Sequence, residues 1–242
     1  MCKPLALLVL LLVATTALAE DISAEHLSPS RKPGQNFNLS KFKLQLPVAH
    51  GNGVVEIPAA QLPTYTSEYF YTDKTTGAMI FWVPTDGAHT SGSKFPRTEL
   101  RQNTDFTIST GSTSLTVTVA VLQTPKRNNI VVGQLKRENE QPIELRWIEG
   151  DVVASVKTSY KQTKPENLTL ASGLKEGRKF TYTMALQRGV VTITVNGSSK
   201  KVTFDKDWDA DKVYWKFGNY CQDNSKTAEN AAKVAVFAFT LK

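Results

Sequence analysis

Three stretches of this chain gather side chains able to neutralise negative charge and to move protons. In Pro96-Arg97-Thr98-Glu99-Leu100-Arg101-Gln102 the charged residues recur at every second position. An extended strand sends alternate side chains to one face, so Arg97, Glu99 and Arg101 should stand together with Leu100 behind them. The same alternation in Val131-Val132-Gly133-Gln134-Leu135-Lys136 pairs Gln134 with Lys136 and turns Leu135 to the core. The segment from Tyr214 to Gln222 puts Tyr214, Lys216, Tyr220 and Gln222 on one face and Trp215 and Phe217 on the other, with Gly218 leaving room between Lys216 and Tyr220. Taken singly, each set fits a solvated strand face, and the Arg97-Glu99-Arg101 set fits an exposed ion-pair ladder. Side by side on one sheet they form a groove of guanidinium, ammonium, amide and phenol, suited to a chain of carboxylates.

Such a groove needs strands to carry it, and most of the chain reads as strand. Leu115, Val117, Val119 and Val121 alternate with Thr116, Thr118 and Ala120, a β-branched run of period two. Phe180, Tyr182, Met184 and Leu186 alternate likewise; Arg188-Gly189 turns the chain to Val191, Ile193 and Val195, and Asn196-Gly197 turns it again toward Val202 and Phe204. Further strands are expected around 41–47, 68–73, 78–84, 97–102, 129–136, 143–149, 151–160, 212–222 and 233–241. No long amphipathic helix and no internal repeat stand out. The expected fold is all-β, a β-sandwich jelly roll of two antiparallel sheets with a concave substrate groove.

Residues 1–19 run from Lys3 through the apolar stretch Leu5 to Val13 to Ala17-Leu18-Ala19, the pattern of a secretory signal peptide cut before Glu20. The expected organisation is therefore a signal peptide at 1–19, an N-terminal arm at 20–36 and a single catalytic domain at 37–242. Hydrophobic residues make up 40% of the chain and charged residues 21%, which excludes a disordered or collagen-like chain. The formal charge of +7 falls to +6 when Lys3 leaves with the signal, so an acidic partner suits the mature protein. No nucleic-acid motif and no membrane-spanning segment is recognisable. Loss of Cys2 strands Cys221 as a single thiol, and His26, His50 and His89 lack metal-ligand spacing, so neither a disulfide framework, a metal nor another cofactor is expected. Asn38, Asn167 and Asn196 stand in glycosylation sequons.

From about Phe37 to Lys242 the chain resembles the alginate lyases of polysaccharide lyase family 7. The likeness rests on Arg97-Thr-Glu-Leu-Arg101, on Gln134-Leu-Lys136, and on Tyr214-Trp-Lys-Phe-Gly-Asn-Tyr220-Cys-Gln222. Tyr69-Phe70, the stretch Ala78 to Pro84 and Gly92 to Pro96 add to it. The resemblance implies a jelly-roll enzyme that cleaves polyuronates by β-elimination. Arg97 and Gln134 would neutralise the C6 carboxylate, and Tyr220 would protonate the leaving oxygen and could also act as base. Glu99, Arg101, Lys216, Tyr214, Gln222 and the loop residue His89 would contact substrate. Lys136 stands where the family usually has a catalytic histidine.

That difference bears on stereochemistry. In β-mannuronate and β-glucuronate the C5 hydrogen and the C4 oxygen leave from the same side, so one tyrosine can serve as base and acid. In α-guluronate they leave from opposite sides and a second base is needed. An unperturbed lysine is a poor base near pH 7, although Lys136 can still neutralise a carboxylate as a point charge. A secreted, extracellular, monomeric lyase acting on mannuronate-rich alginate is therefore expected. A glucuronan lyase of the same fold, or an inactive lectin for acidic glycans, are the alternatives.

Overall fold

The computed structural model describes residues 27–209, 212–227 and 229–242. The signal peptide read at 1–19 and its cut before Glu20 lie outside the described residues. The first element is a one-turn helix α1, Pro33–Asn36, with Pro33 at a position that needs no N–H and suits its fixed φ. It belongs to the segment read as an arm, and that segment is fastened to the body. Lys32 Nζ donates to the Thr64 carbonyl at 2.6 Å, and Asn36 Nδ2 donates to the Gly77 carbonyl at 3.2 Å.

Sixteen strands follow among the described residues. The first half comprises β1 Phe42–His50, β2 Gly53–Ile57, β3 Phe70–Thr72, β4 Met79–Pro84, β5 Arg97–Gln102, β6 Phe106–Thr107, β7 Ser112–Gln123 and β8 Asn129–Lys136. The second comprises β9 Ile143–Ile148, β10 Asp151–Val156, β11 Glu166–Ala171, β12 Phe180–Gln187, β13 Val190–Val195, β14 Ser198–Thr203, β15 Lys212–Cys221 and β16 Ala231–Leu241. They form two sheets that pack face to face, all neighbours antiparallel, giving the expected jelly-roll sandwich. The larger sheet runs β11-β10-β9-β8-β15-β5-β1-β2, with β6 beside β15. The smaller runs β14-β13-β12-β7-β16-β4-β3.

The alternating apolar residues meet between the sheets. Phe42, Leu44, Leu100, Leu135, Leu145, Trp147, Trp215 and Phe217 of the larger sheet pack on Phe81, Val117, Val119, Tyr182, Met184 and Val234 of the smaller. Cys221 lies free in this core, its thiol pushed up to about 12 by burial, so packing rather than cross-linking holds the sandwich.

Three strands are absent from the sequence expectation: β2, β6 and β11. Each is an edge or minor strand with little apolar alternation; in β11 Glu166, Asn167 and Thr169 are exposed and only Leu170 is buried. The strand expected over 151–160 stops at Val156, where Gln162 Oε1 accepts from the Thr158 N–H at 2.8 Å and turns the chain.

Two glycines let the sheets close behind the polar motifs. A Cβ on Gly133 would lie 2.6 Å from the Tyr182 hydroxyl, which donates to the Val132 carbonyl at 2.9 Å. Gly218 sits at φ +137, a conformation open to glycine, and a Cβ there would lie 2.7 Å from the Thr98 carbonyl oxygen and 2.9 Å from the Phe81 ring. The space freed by Gly218 is therefore used inward, against the other sheet, rather than between Lys216 and Tyr220. The next residue, Asn219, turns inward and donates from Nδ2 to the Phe81 and Ala232 carbonyls at 3.1 and 2.9 Å, pinning β15 to the smaller sheet.

Candidate active site

The three motif strands β8, β15 and β5 are consecutive neighbours in the larger sheet, and their pairing sets the address of every polar side chain. Lys216 stands opposite Gln134 on one side and Arg101 on the other; Tyr220 stands opposite Arg97, and Gly218 opposite Glu99. Gln134 is in turn opposite Glu144, Glu144 opposite Ser155, and Arg101 opposite Lys43. A polar row thus crosses six strands at about 4.8 Å per step on the face turned away from the core.

Glu99 is the centre of this face and is fully buried. Its carboxylate takes Lys216 Nζ at 2.5 Å, Gln134 Nε2 at 2.5 Å and Arg97 Nη1 at 3.3 Å. Burial pushes the carboxyl up, but Lys216, Arg97 and Gln134 outweigh it and hold the group below its ordinary value. An ionised acceptor there fixes the Gln134 amide with its NH2 toward Glu99. Lys216 also donates to Gln45 Oε1 at 2.8 Å. Burial, opposed by Glu99 and reinforced by Arg97, draws its ammonium down to about 7. Two atoms of the cluster, Arg97 Nε and Gln134 Oε1, are buried without a hydrogen-bond partner, a cost that native structures concentrate where function requires it.

Tyr220 closes one end. It is 7% exposed, with the Arg97 guanidinium 3.9 Å from its ring centroid and the Phe95 ring edge-on at 6.3 Å. Its hydroxyl lies 2.9 Å from Ser93 Oγ. Gln222 neighbours it on the same strand face, donating to the Tyr220 carbonyl at 3.4 Å and accepting from Arg146 Nη1 at 3.3 Å. Arg146, beside Tyr220 across Val131, is held by Glu144.

Lys136 lies toward the other end, opposite Tyr214. Its Nζ donates to the carbonyls of Glu138 and Glu140 at 3.1 and 3.4 Å. Burial first and Arg97 second bring its pKa down to about 8, against Glu144, Glu99 and Glu140, which raise it. A neutral amine can keep both carbonyl bonds and point its lone pair outward; an ammonium can keep both and offer a third hydrogen.

The structure thus brings Arg97, Glu99, Gln134, Lys216 and Tyr220 into one contact chain, with Lys136 and Gln222 on the same face. Arg101 belongs to that face but spends its guanidinium elsewhere. It donates to the Gln102 and Asn103 carbonyls and to Asp105, and it lies 3.9 Å over the Tyr214 ring. Glu99, fully buried, braces cations instead of presenting itself to solvent. His89 is exposed on the loop before β5, outside that contact chain, and lines a pocket of about 640 Å³ with Lys94, Pro96, Asn224 and Lys226. Sequence reasoning missed Ser93, Gln45 and the Glu144–Arg146 pair. Alternation in Ile143-Glu-Leu-Arg-Trp147 could have flagged the last two, whereas Ser93 figured only as part of the Gly92 to Pro96 stretch, without a role of its own.

A family profile described as alginate lyase matches residues 37–242. A search of curated protein sequences returns no match. Among solved structures, alginate lyase A1-II′, described as a member of polysaccharide lyase family 7, is 30% identical, with a TM-score of 0.80 over 87% of this chain and 98% of its own. A variant of that enzyme in complex with a GGMG substrate is 31% identical, with a TM-score of 0.81 over 88% of this chain and 97% of its own. An alginate lyase from Pseudomonas aeruginosa is 26% identical, with a TM-score of 0.78 over 84% of this chain and 98% of its own.

Proposed function

The chain belongs to the alginate lyases of polysaccharide lyase family 7, and from that premise we propose that it is secreted and cleaves 4-linked polyuronates, mannuronate-rich alginate above all, by β-elimination. The observation that carries this reading is the Glu99-braced array of Arg97, Gln134 and Lys216 beside the Tyr220 phenol, on a face long enough for several sugars.

In the reaction the C5 proton is removed, its electron pair forms the C4–C5 double bond, and the C4–O bond breaks. Removing that proton puts charge on the C6 carboxylate, and fixed donors aimed there lower the barrier because they need no reorganisation. Arg97, the free amide hydrogen of Gln134 and the Lys136 ammonium supply them. Tyr220 as phenolate takes the C5 proton and hands it to the departing C4 oxygen, so the phenolate is regenerated each turnover. Both positions lie on one side of mannuronate, within reach of one phenol oxygen. The Lys136 amine, where a second base would stand, is mainly ammonium near neutral pH and serves as a charge.

The test is a lyase assay on polymannuronate, polyguluronate and polyglucuronate, read by the ultraviolet absorbance of the unsaturated product. Polymannuronate should be cleaved fastest. Preference for polyglucuronate would identify a glucuronan lyase instead, since glucuronate shares the C4–C5 relation. Absence of unsaturated ends on all three, with polymer still bound, would refute the reading. Sequencing the exported protein should give an N-terminus at Glu20, as the leader predicts.

A further inference from the structure

Ser93 is the one polar side chain hydrogen-bonded to the Tyr220 hydroxyl among the described residues, and it stands in the Gly92 to Pro96 stretch, to which sequence reasoning assigned no role. It sits in the loop before β5, with its N–H on the Thr90 carbonyl at 2.9 Å. Its Oγ accepts the Phe95 N–H at 3.1 Å and lies 3.1 Å from the Phe95 carbonyl oxygen as well as 2.9 Å from the Tyr220 hydroxyl. Phe95 itself packs edge-on against the Tyr220 ring. The charged group on that ring is Arg97, with Glu99 behind it.

A serine hydroxyl has one hydrogen and two lone pairs. One lone pair is taken by the Phe95 N–H, which leaves the hydrogen two acceptors, the Phe95 carbonyl and the phenol oxygen. When Tyr220 is protonated, its O–H donates to Ser93 and the serine hydrogen rests on Phe95. When Tyr220 is ionised, the serine hydrogen swings onto the phenolate. Each state therefore has a complete set of hydrogen bonds, and the change between them is one rotation about Cβ–Oγ.

We propose that Ser93 is a positioning residue for the elimination, holding the Tyr220 oxygen in place and following its proton as the phenol alternates between base and acid. No proton leaves Ser93 in the cycle; the proton that moves passes from C5 to the phenolate and on to the C4 oxygen. The proposal rests on the reading of Tyr220 as the proton carrier.

The experiment uses Ser93→Ala, Ser93→Thr and Tyr220→Phe in the full-length protein, with steady-state kinetics on polymannuronate. Phenolate formation at position 220 is read as the ultraviolet difference against Tyr220→Phe. Hydrogen bonds to ionised groups are strong enough that Ser93→Ala should lower kcat by about ten- to a hundredfold with KM nearly unchanged. Phenolate at position 220 should form at higher pH in Ser93→Ala than in the parent, because the ionised form has lost a donor. Ser93→Thr, which keeps the hydroxyl, should restore most of kcat. A parental kcat in Ser93→Ala overturns the proposal, and so does a lower kcat with an unmoved phenolate titration, which marks Ser93 as a loop brace only. If Ser93→Ala does not fold, Ser93→Cys, with a much weaker donor of similar shape, must show both changes or the proposal falls. Activity retained in Tyr220→Phe would instead sink the Tyr220 reading, so the two failures are distinct.

Discussion

Replacing Lys136 by methionine separates the two tasks an amine can perform at that position. The Nζ pKa of about 8 leaves roughly one-tenth of the amine neutral near pH 7, about half near pH 8 and about nine-tenths near pH 9. A lysine with a lowered pKa becomes a base as pH rises through that value, so any elimination that relies on it should accelerate about ninefold between those limits. Polyguluronate cleavage needs such a second base and polymannuronate cleavage does not. The assay is the ratio of kcat/KM on the two polymers across this range. Taking a ratio removes the effect of Lys216, whose own ammonium is drawn down to about 7 and which serves both substrates alike. In the parent enzyme the ratio should climb through about pH 8, and in Lys136→Met it should be low and flat. Lys136→His should give a ratio that is already high near pH 7, because an imidazole of ordinary pKa, about 6.5, is mostly neutral there. A flat ratio in the parent, or a rise that persists in Lys136→Met, would refute the assignment of Lys136 and the stereochemical reasoning with it.

Three further outcomes follow from the site's geometry. Tyr220→Phe should abolish turnover while polymer binding, measured by affinity electrophoresis, changes little, since only one oxygen is lost and the cations stay. Glu99→Gln removes the charge that compensates Lys216 and Arg97 and should cost about 2–3 kcal/mol, the low side for a broken buried pair because Lys216 can shed its proton. Thermal unfolding should show this as a midpoint lower by roughly 5–10 °C; because the Glu99 carboxyl is held below its ordinary 4.5, its contribution is full above that pH and fades as the pH falls further, so the two proteins should converge in acid. His89→Ala should leave kcat and KM unchanged, as its exposed ring hydrogen-bonds the adjacent Thr90 carbonyl and lies outside the contact chain centred on Glu99; a tenfold loss would place its pocket on the substrate path.

Which residues share a face was legible in the sequence, because side-chain parity along a strand is a local property of extended backbone. Arg97 with Glu99 and Arg101, Gln134 with Lys136, and Lys216 with Tyr220 all stand as alternation requires. The main hairpins were legible too, from β-branched runs and from Asn196-Gly197, whereas β11 was not, since an exposed edge strand carries little apolar pattern. Strand order, and so the meeting of β5, β8 and β15, was decided by pairing between segments far apart in the chain. Burial was decided the same way. Only neighbours contributed by other strands make Glu99 an enclosed brace rather than an exposed rung, lay Arg101 over the Tyr214 ring, and lower Lys136 to about 8. Ser93 reaches Tyr220 across 127 residues of chain. Alternation is set by each residue's own backbone, while desolvation and charge coupling are sums over neighbours that only the folded chain assembles.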